Sequence, residues 1–502
     1  MTNRVPFETE LKLALPPQDV NGFLARMARR RIPPAVAALH TRYFDTPDFE
    51  LSRSGVAVRV RRVGRRWVQT LKTEGERQGG LSQRVEFEMP VARGVPDWSR
   101  FPPEALALVP AALRARLVPV FETRFERTAW LLTGRGGAQI EVVLDRGEVR
   151  AGSRHEPICE IELELKHGDP DALFDLARTW AAAFACLPND ESKAARGVRL
   201  AQGRAAAPLR SGALKLDPAQ NMEDAFAAIL RDALAQFQAN LPGVLASDDI
   251  EYVHQARVAL RRMRAVLRLA RRACVLPPAL QAGLRALAAA LGPARDWDVM
   301  CGETWPTIAQ QCADDCACAS ETARLEAHRA SVRAAMREAL TAAQPGVWLL
   351  DMARWLFARG WRDAPAVQRR LQLSPLANWA RDTLRRGHRA VLHDARRFAA
   401  LTPEARHALR IRIKRLRYAL EFFLTLYPGR GHARLLALLR EMQDALGRAN
   451  DAHVAAQLLQ SLPDAPTPAR AFALGWLAAT AAAGPGDNAQ ALKNFVKLRV
   501  DW

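Results

Sequence analysis

Nowhere in the chain do eighteen apolar residues follow one another, so nothing in it has the length of a membrane-spanning helix. The opening stretch, MTNRVPFETELKLALPPQ, lacks the apolar core of a secretory signal, and the expected compartment is therefore the cytoplasm. Cysteine is scarce. The seven that occur, at 159, 186, 274, 301, 312, 316 and 318, are too few and too unevenly spaced for a disulfide framework. Cys312, Cys316 and Cys318 form no C-x-x-C and have no second half of a zinc site, so a packed or solvent-facing helix is expected there.

What is present is length and positive charge. At about 150 residues per domain, 502 residues give about three domains, two at the least. A hydrophobic content of 49% is enough to bury real cores and argues against wholesale disorder. Lys plus Arg total 73 against 53 Asp plus Glu, a formal charge of +20. That balance says nothing about fold, but it calls for an anionic partner: nucleic acid, acidic lipid or a phosphate compound.

The chain changes character near its middle. Up to about residue 205 it reads as short alternating strands, among them 7–15, 56–62, 66–72, 82–89, 139–144 and 159–165, with helical stretches near 19–30, 104–116 and 170–185. From about 218 the strand signal disappears, and long Ala/Leu/Arg-rich segments of 3.6-residue period run nearly to the end. The expected organisation is a first domain over 1–205, a small-residue linker over 206–217 and a helical domain over 218–502. Residues 1–205 hold 32 basic and 26 acidic side chains, and the remainder holds 41 and 27, so the helical half carries most of the excess.

Successive strand residues point to opposite faces. Glu8, Glu10 and Lys12 therefore share a face, as do Arg59 and Arg61, then Arg84, Glu86 and Glu88, and again Glu160, Glu162 and Glu164. A single charged face of this kind would simply meet water. Here two strands offer carboxylates in close ranks, Glu8/Glu10 and Glu160/Glu162/Glu164, while others, as at Arg59/Arg61, offer only basic groups. Carboxylates two residues apart repel one another unless a divalent cation sits among them, and Mg²⁺ or Mn²⁺ suits such hard oxygen ligands. Arginines at i and i+2 suit bidentate capture of phosphate oxygens.

Glu8-Thr9-Glu10-Leu11-Lys12 fits the E-x-E-x-K pattern, and in order behind it come YFDTP (43–47), VRVRR (58–62), LKTEG (71–75), SQRVEFE (82–88), ETRFERTAW (122–130), VLDRGEV (143–149), CEIELEL (159–165) and ESKAARG (191–197). That series resembles the CYTH family, the triphosphate tunnel metalloenzymes, and most of all the bacterial inorganic triphosphatases that join this domain to a CHAD domain. The resemblance implies an α+β, two-domain protein whose N-terminal part is an eight-stranded antiparallel tunnel barrel with flanking helices. It further implies that Glu8, Glu10, Asp145, Glu162 and Glu164 bind divalent metal, Mg or Mn. Lys12, Arg59, Arg61, Lys72, Arg124 and Lys193 would bind triphosphate, with Arg127 as the neighbouring alternative to Arg124. Glu8, Glu10, Lys12 and Lys72 would be the catalytic set. Glu160 shares the face but lies one step outside the family's usual pair. Tyr43 could contact the attacking water or simply pack.

In the second half, HQARVALRRMRAVLRLARR (254–272) and HALRIRIKRLRYALEFFL (407–424) both fit H-x-x-R-x-x-x-[RK]-R-x-R, 153 residues apart. At 100° per residue His254, Arg257, Arg261 and Arg264 fall within about 80° of arc. His407, Arg410, Lys414 and Arg417 repeat the pattern. Like charges at i, i+3 and i+4 destabilise a helix, so each stripe calls for an anion or for acids on facing helices. Asp296 and Asp451, in the matching segments ALGPARDWD and ALGRAND, would either cap the next helix or orient the basic residues. A histidine-bearing helix repeated in this way resembles the CHAD domain. The resemblance implies an all-α pair of four-helix bundles with a basic groove that binds inorganic polyphosphate through those eight side chains. One departure is visible: Arg268 in the first copy is matched by Glu421 in the second.

The expected function is metal-dependent cleavage of inorganic tripolyphosphate to pyrophosphate and phosphate, with the helical domain holding polyphosphate, in the cytoplasm or on polyphosphate granules. The alternatives are a non-catalytic polyphosphate-granule protein and a tunnel enzyme acting on thiamine triphosphate or ATP. Nucleic acid is disfavoured, because base stacking needs exposed aromatics and Tyr418, Phe422 and Phe423 look packed.

Overall fold

The computed structural model describes residues 7–312, 315–482 and 488–502. One compact unit ends at Ala207 and also takes in Gln344–Ala358; the other comprises Pro208–Ala343 and Arg359–Trp502.

The strands of the first unit are β1 (Phe7–Ala14), β2 (Ala35–Asp45), β3 (Val56–Val63), β4 (Arg66–Thr73), β5 (Glu76–Gln78), β6 (Leu81–Val91), β7 (Val118–Thr133), β8 (Gln139–Ala151), β9 (Arg154–His167) and β10 (Leu187–Pro188). They hydrogen-bond in the order β10-β1-β9-β8-β7-β2-β3-β4-β6-β5, and β1 also pairs with β6. That last pairing, with Glu8 opposite Arg84 and Glu10 opposite Ser82, closes eight antiparallel strands into a barrel. The short β5 and β10 lie outside the closed ring.

The barrel is polar inside, so its apolar side chains point outward. Leu11, Leu13, Ile161 and Leu163 have no exposed surface. Helices Val20–Ala28 and Asp171–Phe184 supply rings to the packing outside the wall: Phe23 lies 6.0 Å from Trp130 of β7 and 5.1 Å from Trp180. A second apolar cluster gathers Phe44, Val58, Val60, Leu71 and Phe87 against Phe101 and Val109. The helix expected over 104–116 is split into Pro103–Ala107 and Ala111–Arg114. Pro110 lies between them, has no N–H to continue the ladder and biases Val109 away from helical geometry.

Two further helices of this unit bear on the barrel wall. Lys193–Ala201 is capped by the Ser192 hydroxyl, which accepts from the Ala195 N–H at 3.1 Å. Gly197 lets this helix press on the barrel, since a Cβ there would fall 2.0 Å from the Phe121 ring. Pro345–Phe357 comes from far along the chain, yet its Arg354 pairs with Asp171 and Asp175 and its Asp351 with Arg178.

The second unit is helical. Met222–Ala246 packs on Ile250–Leu269, Leu376–Arg396 packs on Pro403–Phe423, and the two central helices Ile250–Leu269 and Pro403–Phe423 touch each other. Asn221, Asp249 and Thr402 provide N-caps to three of these four. Buried ion pairs tie the outer helices, Arg333 with Asp298 at 3.1 Å and Arg470 with Glu321 at 2.8 Å. Cys312 and Cys318, two of the three clustered cysteines, are joined in a disulfide. No helix among the described residues is long and apolar enough to cross a membrane.

Candidate functional site

Inward-facing residues of the barrel surround a cavity of about 620 Å³. Glu8, Glu10 and Lys12 from β1, Tyr43 from β2, Arg59 and Arg61 from β3, Lys72 from β4, Glu162 and Glu164 from β9 and Lys193 all line it. So do Arg84 and Glu86 of β6, Arg127 of β7 and Glu141 of β8, which the sequence reading left outside the assigned set. For Arg84 and Glu86 the signal was available, because they share one strand face with each other. The lining carries ten basic and eight acidic side chains, so the guest it fits is an anion.

Arg124 does not belong to this set. It lies on the opposite face of β7, more than half exposed and paired with Glu122 at 2.8 Å. Arg127, three residues on and therefore of opposite parity, reaches inward and grips Asp145 with two donors at 2.7 and 2.6 Å and Glu162 at 2.6 Å. The expectation for Arg124 is corrected to Arg127.

Charges this deep are tolerable only when paired. Lys12 lies 3.5 Å from Glu10 and 3.2 Å from Glu162. Lys72 meets Glu8 at 3.0 Å and Glu86 at 2.6 Å, and Arg84 meets Glu8 at 3.0 Å and Glu10 at 2.5 Å. Burial works against the Glu162 carboxylate, yet Lys193, Lys12 and Arg127 outweigh it and hold the group well below the usual carboxylate range. Glu10 is held down in the same way by Lys12 and Arg84 against its own burial.

At two places the pairing is incomplete. Arg61 makes its one side-chain hydrogen bond to the Thr41 hydroxyl at 3.2 Å, and among the described residues it has no ion pair. Burial, then Arg59 and Arg127, push its guanidinium down to about 10. The buried Arg59 Nε has no hydrogen-bond partner among the described residues. Tyr43 stands beside this cluster, its ring stacked on Phe121 at 4.5 Å; burial opposes ionisation of its hydroxyl, but Arg59 and Arg61 pull it below the usual phenol range. The opposite imbalance lies at Glu164. Burial pushes that carboxyl up, Lys166 works against the shift, and Glu8 and Glu141 add to it. Lys166, 2.7 Å away, is its counter-ion, whereas Arg61 has no anionic partner among the described residues.

Two carboxylate groups are candidates for a divalent ion. Asp145, Glu160 and Glu162 converge closely enough to share one. Their centre already holds the Lys193 ammonium, 2.6 Å from Asp145, 2.5 Å from Glu160 and 2.9 Å from Glu162. An ammonium has three donors, and all three are committed here. Burial opposes that charge, but the three carboxylates raise the Lys193 pKa strongly. Lys193 lines the cavity while its ammonium is held by these three acids, and Asp145 is paired with both Arg127 and Lys193. The ladder of Glu8, Glu10, Glu162 and Glu164, with Glu10 directly opposite Glu164, brings four carboxylates to the cavity without one ammonium committed at their centre, and it is the second candidate for a hard divalent cation.

In the helical unit the two stripes face each other. Lys414 is half-buried; burial, then Arg261, Arg410, Arg417 and Arg257, push its ammonium down to about 8. Arg261 donates to the Tyr418 hydroxyl at 3.2 Å, and Arg417 pairs with Glu421 at 2.9 Å. His254 is lowered by burial and then by Arg295, and Arg264 by burial and then by Arg285. His407 is exposed on the second helix. Asp296 lies inside helix Pro278–Val299 and Asp451 in the first turn of Arg448–Gln460, so neither is an N-cap. They stand in matching places instead, 3.9 Å from Arg257 and 3.7 Å from Arg410.

The family model described as the CYTH domain matches residues 6–198, and that described as the CHAD domain matches residues 228–460. An inorganic triphosphatase from Haemophilus influenzae is 32% identical over 213 residues, 40% of this chain and 56% of that protein, so the chain spans little more than half the length of this curated relative. The crystal structure of the CHAD domain from the plant Ricinus communis is 32% identical with a TM-score of 0.52, covering 59% of this chain and 98% of that one.

Proposed function

The chain carries a CYTH domain followed by a CHAD domain, and on that footing we propose that its barrel hydrolyses inorganic tripolyphosphate to pyrophosphate and phosphate while its helical unit binds inorganic polyphosphate. The observation that carries the first part is the double imbalance inside one cavity: Arg61 without an anionic partner among the described residues, and Glu164 crowded by Glu8 and Glu141 with Lys166 at 2.7 Å as its counter-ion. A triphosphate accompanied by a divalent metal ion would neutralise both.

In this reading Arg59, Arg61, Arg127 and Lys72 hold phosphate oxygens, and Lys12 bridges the two poles. Glu8, Glu10, Glu162 and Glu164 would hold Mg²⁺ or Mn²⁺, which when bound offsets phosphate charge and lowers the pKa of a ligated water. Asp145 and Glu160 act at one remove, fixing Arg127 and Lys193. Clamping the chain in line for attack by water is a matter of positioning and charge, and no side-chain nucleophile is required. Burial of the lining limits competing water, which strengthens each of these interactions. Tyr43, which lines the cavity beside Arg59 and Arg61, is placed to contact the attacking water.

For the helical unit the supporting observation is Lys414, an ammonium among four guanidinium groups. Only an anion lying across both stripes would relieve that crowding. Release of phosphate from tripolyphosphate, ATP, thiamine triphosphate and long-chain polyphosphate, with and without a chelator, tests the proposal. Turnover should be greatest with tripolyphosphate, vanish with chelator and fall by at least 10²-fold in Glu10→Gln (on the order of an essential charged contact). Full activity in that variant would overturn it.

A further inference from the structure

On the helical unit, away from the Lys414 cluster, a second cavity of about 550 Å³ opens between the end of helix Ile250–Leu269 and helices Leu376–Arg396 and Pro403–Phe423. Six arginines line it: Arg268, Arg271, Arg272, Arg386, Arg412 and Arg415. The remaining lining is Ala, Leu, Gly and Thr, with no carboxylate and no aromatic ring. Among the described residues only Arg412 of the six has an ion-pair partner, Asp394. Burial, then Arg268, Arg271 and Arg412, lower the Arg415 guanidinium below its usual range.

The internal repeat does not demand these arginines. At an offset of 153 residues, Arg268 corresponds to Glu421, Arg271 to Leu424, Arg272 to Thr425 and Arg412 to Ala259. Arg415 corresponds to Arg262, which is buried and neutralised by Asp232 at 2.7 Å. One copy of the repeat has an ordinary ion pair where the other has an open pocket of uncompensated charge.

We infer that this pocket is a second oligophosphate-binding site, taking a segment of the polyphosphate chain that runs along the first stripe; it rests on the polyphosphate reading given above. Arg268 continues the arc of His254, Arg257, Arg261 and Arg264, and it also lines the pocket. From His254 to Arg268 the helical part of the basic track is about 21 Å long at 1.5 Å per residue. Arginine forks match phosphate oxygens, and small Ala and Gly side chains leave those forks unobstructed. Without an aromatic ring the pocket offers bases nothing to stack on, which favours a bare phosphoanhydride chain over nucleic acid.

The test uses the full chain, long-chain polyphosphate as the probe and double-stranded DNA as competitor, over a range of salt concentrations. Both Arg271 and Arg415 are exposed, so Arg271→Ala/Arg415→Ala should fold, as an unchanged thermal melt would verify. This variant should bind polyphosphate about tenfold more weakly, with a salt slope smaller by about two. An unchanged affinity and slope, in a protein whose Arg257→Ala/Arg410→Ala variant does lose binding, overturns the pocket alone. Unchanged binding in both variants overturns the polyphosphate reading itself. A pocket variant that loses only DNA affinity would reassign the site to nucleic acid and overturn the inference.

Discussion

The Arg61 guanidinium rests on the Thr41 hydroxyl at 3.2 Å, a buried cation whose hydrogen-bonding partner is neutral. Folding has placed it beside Arg59 and Arg127, which make its charge harder to keep. Such an arrangement costs stability in the empty protein and is relieved when an anion arrives.

Arg61→Gln should therefore move stability and activity in opposite directions. The amide can still donate to Thr41, while the repulsion with Arg59 and Arg127 is gone, so the melting temperature should rise by a few degrees (about 1 kcal/mol in a unit of this size). Loss of one charged contact to phosphate should lower kcat/KM for tripolyphosphate by about 10–100-fold. Thermal melts and phosphate release on the same preparation check this. A drop in melting temperature would mean that Arg61 has a structural partner.

Much of the barrel can be read from alternation, because inward charge and outward Leu, Ile and Val repeat with period two. On β7 the phase is harder to read. In ETRFERTAW Arg124 and Arg127 lie on either side of Phe125-Glu126, and the buried Trp130 and Leu132 tie the even positions beyond residue 128 to the outside of the wall. A register shift between Tyr43 and Phe44, where β2 pairs with β7, further blurs the count. Asp296 was hidden by a different effect. Gly292-Pro293 reads as a break, yet the helix runs through Pro293 from Pro278 to Val299 and carries Asp296 round to Arg257. Helix Pro345–Phe357 looks like any other apolar helix of the second half. Its place on the first unit depends on Arg354 and Asp351 meeting partners about 180 residues earlier, which periodicity cannot register.

Glu164 links metal binding to pH. Its carboxyl holds a proton more tightly in the folded chain than in an unfolded one, with burial as the main cause. Its contribution to the stability of the metal-free protein is thus full below the unfolded value of about 4.3 and is lost as pH rises through the raised folded value. Mg²⁺ or Mn²⁺ should raise the melting temperature, and more so at neutral than at acid pH, where the carboxyl holds its proton. In Glu164→Gln the metal-free protein should melt no lower than wild type, and the metal-induced increase should shrink. Calorimetric melts with and without Mn²⁺ decide it, and an undiminished increase would remove Glu164 from the metal site.

Lys193 should behave in the contrary way. Lys193→Met leaves Glu160 and Glu162 without the ammonium that now lies 2.5 and 2.9 Å away. Breaking a buried pair by removing one partner costs about 3–5 kcal/mol, so the variant should unfold at markedly lower denaturant. The same change frees the three-carboxylate cluster of Asp145, Glu160 and Glu162, and Mn²⁺ should recover part of the loss in the variant. Denaturant titrations with and without Mn²⁺ measure both effects; an undisturbed midpoint would show that Lys193 does not carry the ion pairs described.

Lys414 makes polyphosphate binding pH-dependent over an accessible range. In the free protein its ammonium is pushed down to about 8 by burial and by Arg261, Arg410, Arg417 and Arg257. A bound polyanion would return it towards the unperturbed value of about 10.4. Below pH 8 the group is charged before the ligand arrives; above pH 8 it must take up a proton on binding, and affinity falls as that proton becomes scarce. Between pH 7 and pH 9 the affinity for long-chain polyphosphate should drop by about tenfold. Lys414→Arg, whose charge persists throughout this range, should flatten the profile while still binding. Titration calorimetry in buffers of different ionisation enthalpy would detect the proton directly. A wild-type affinity that does not change with pH would place Lys414 outside the bound chain.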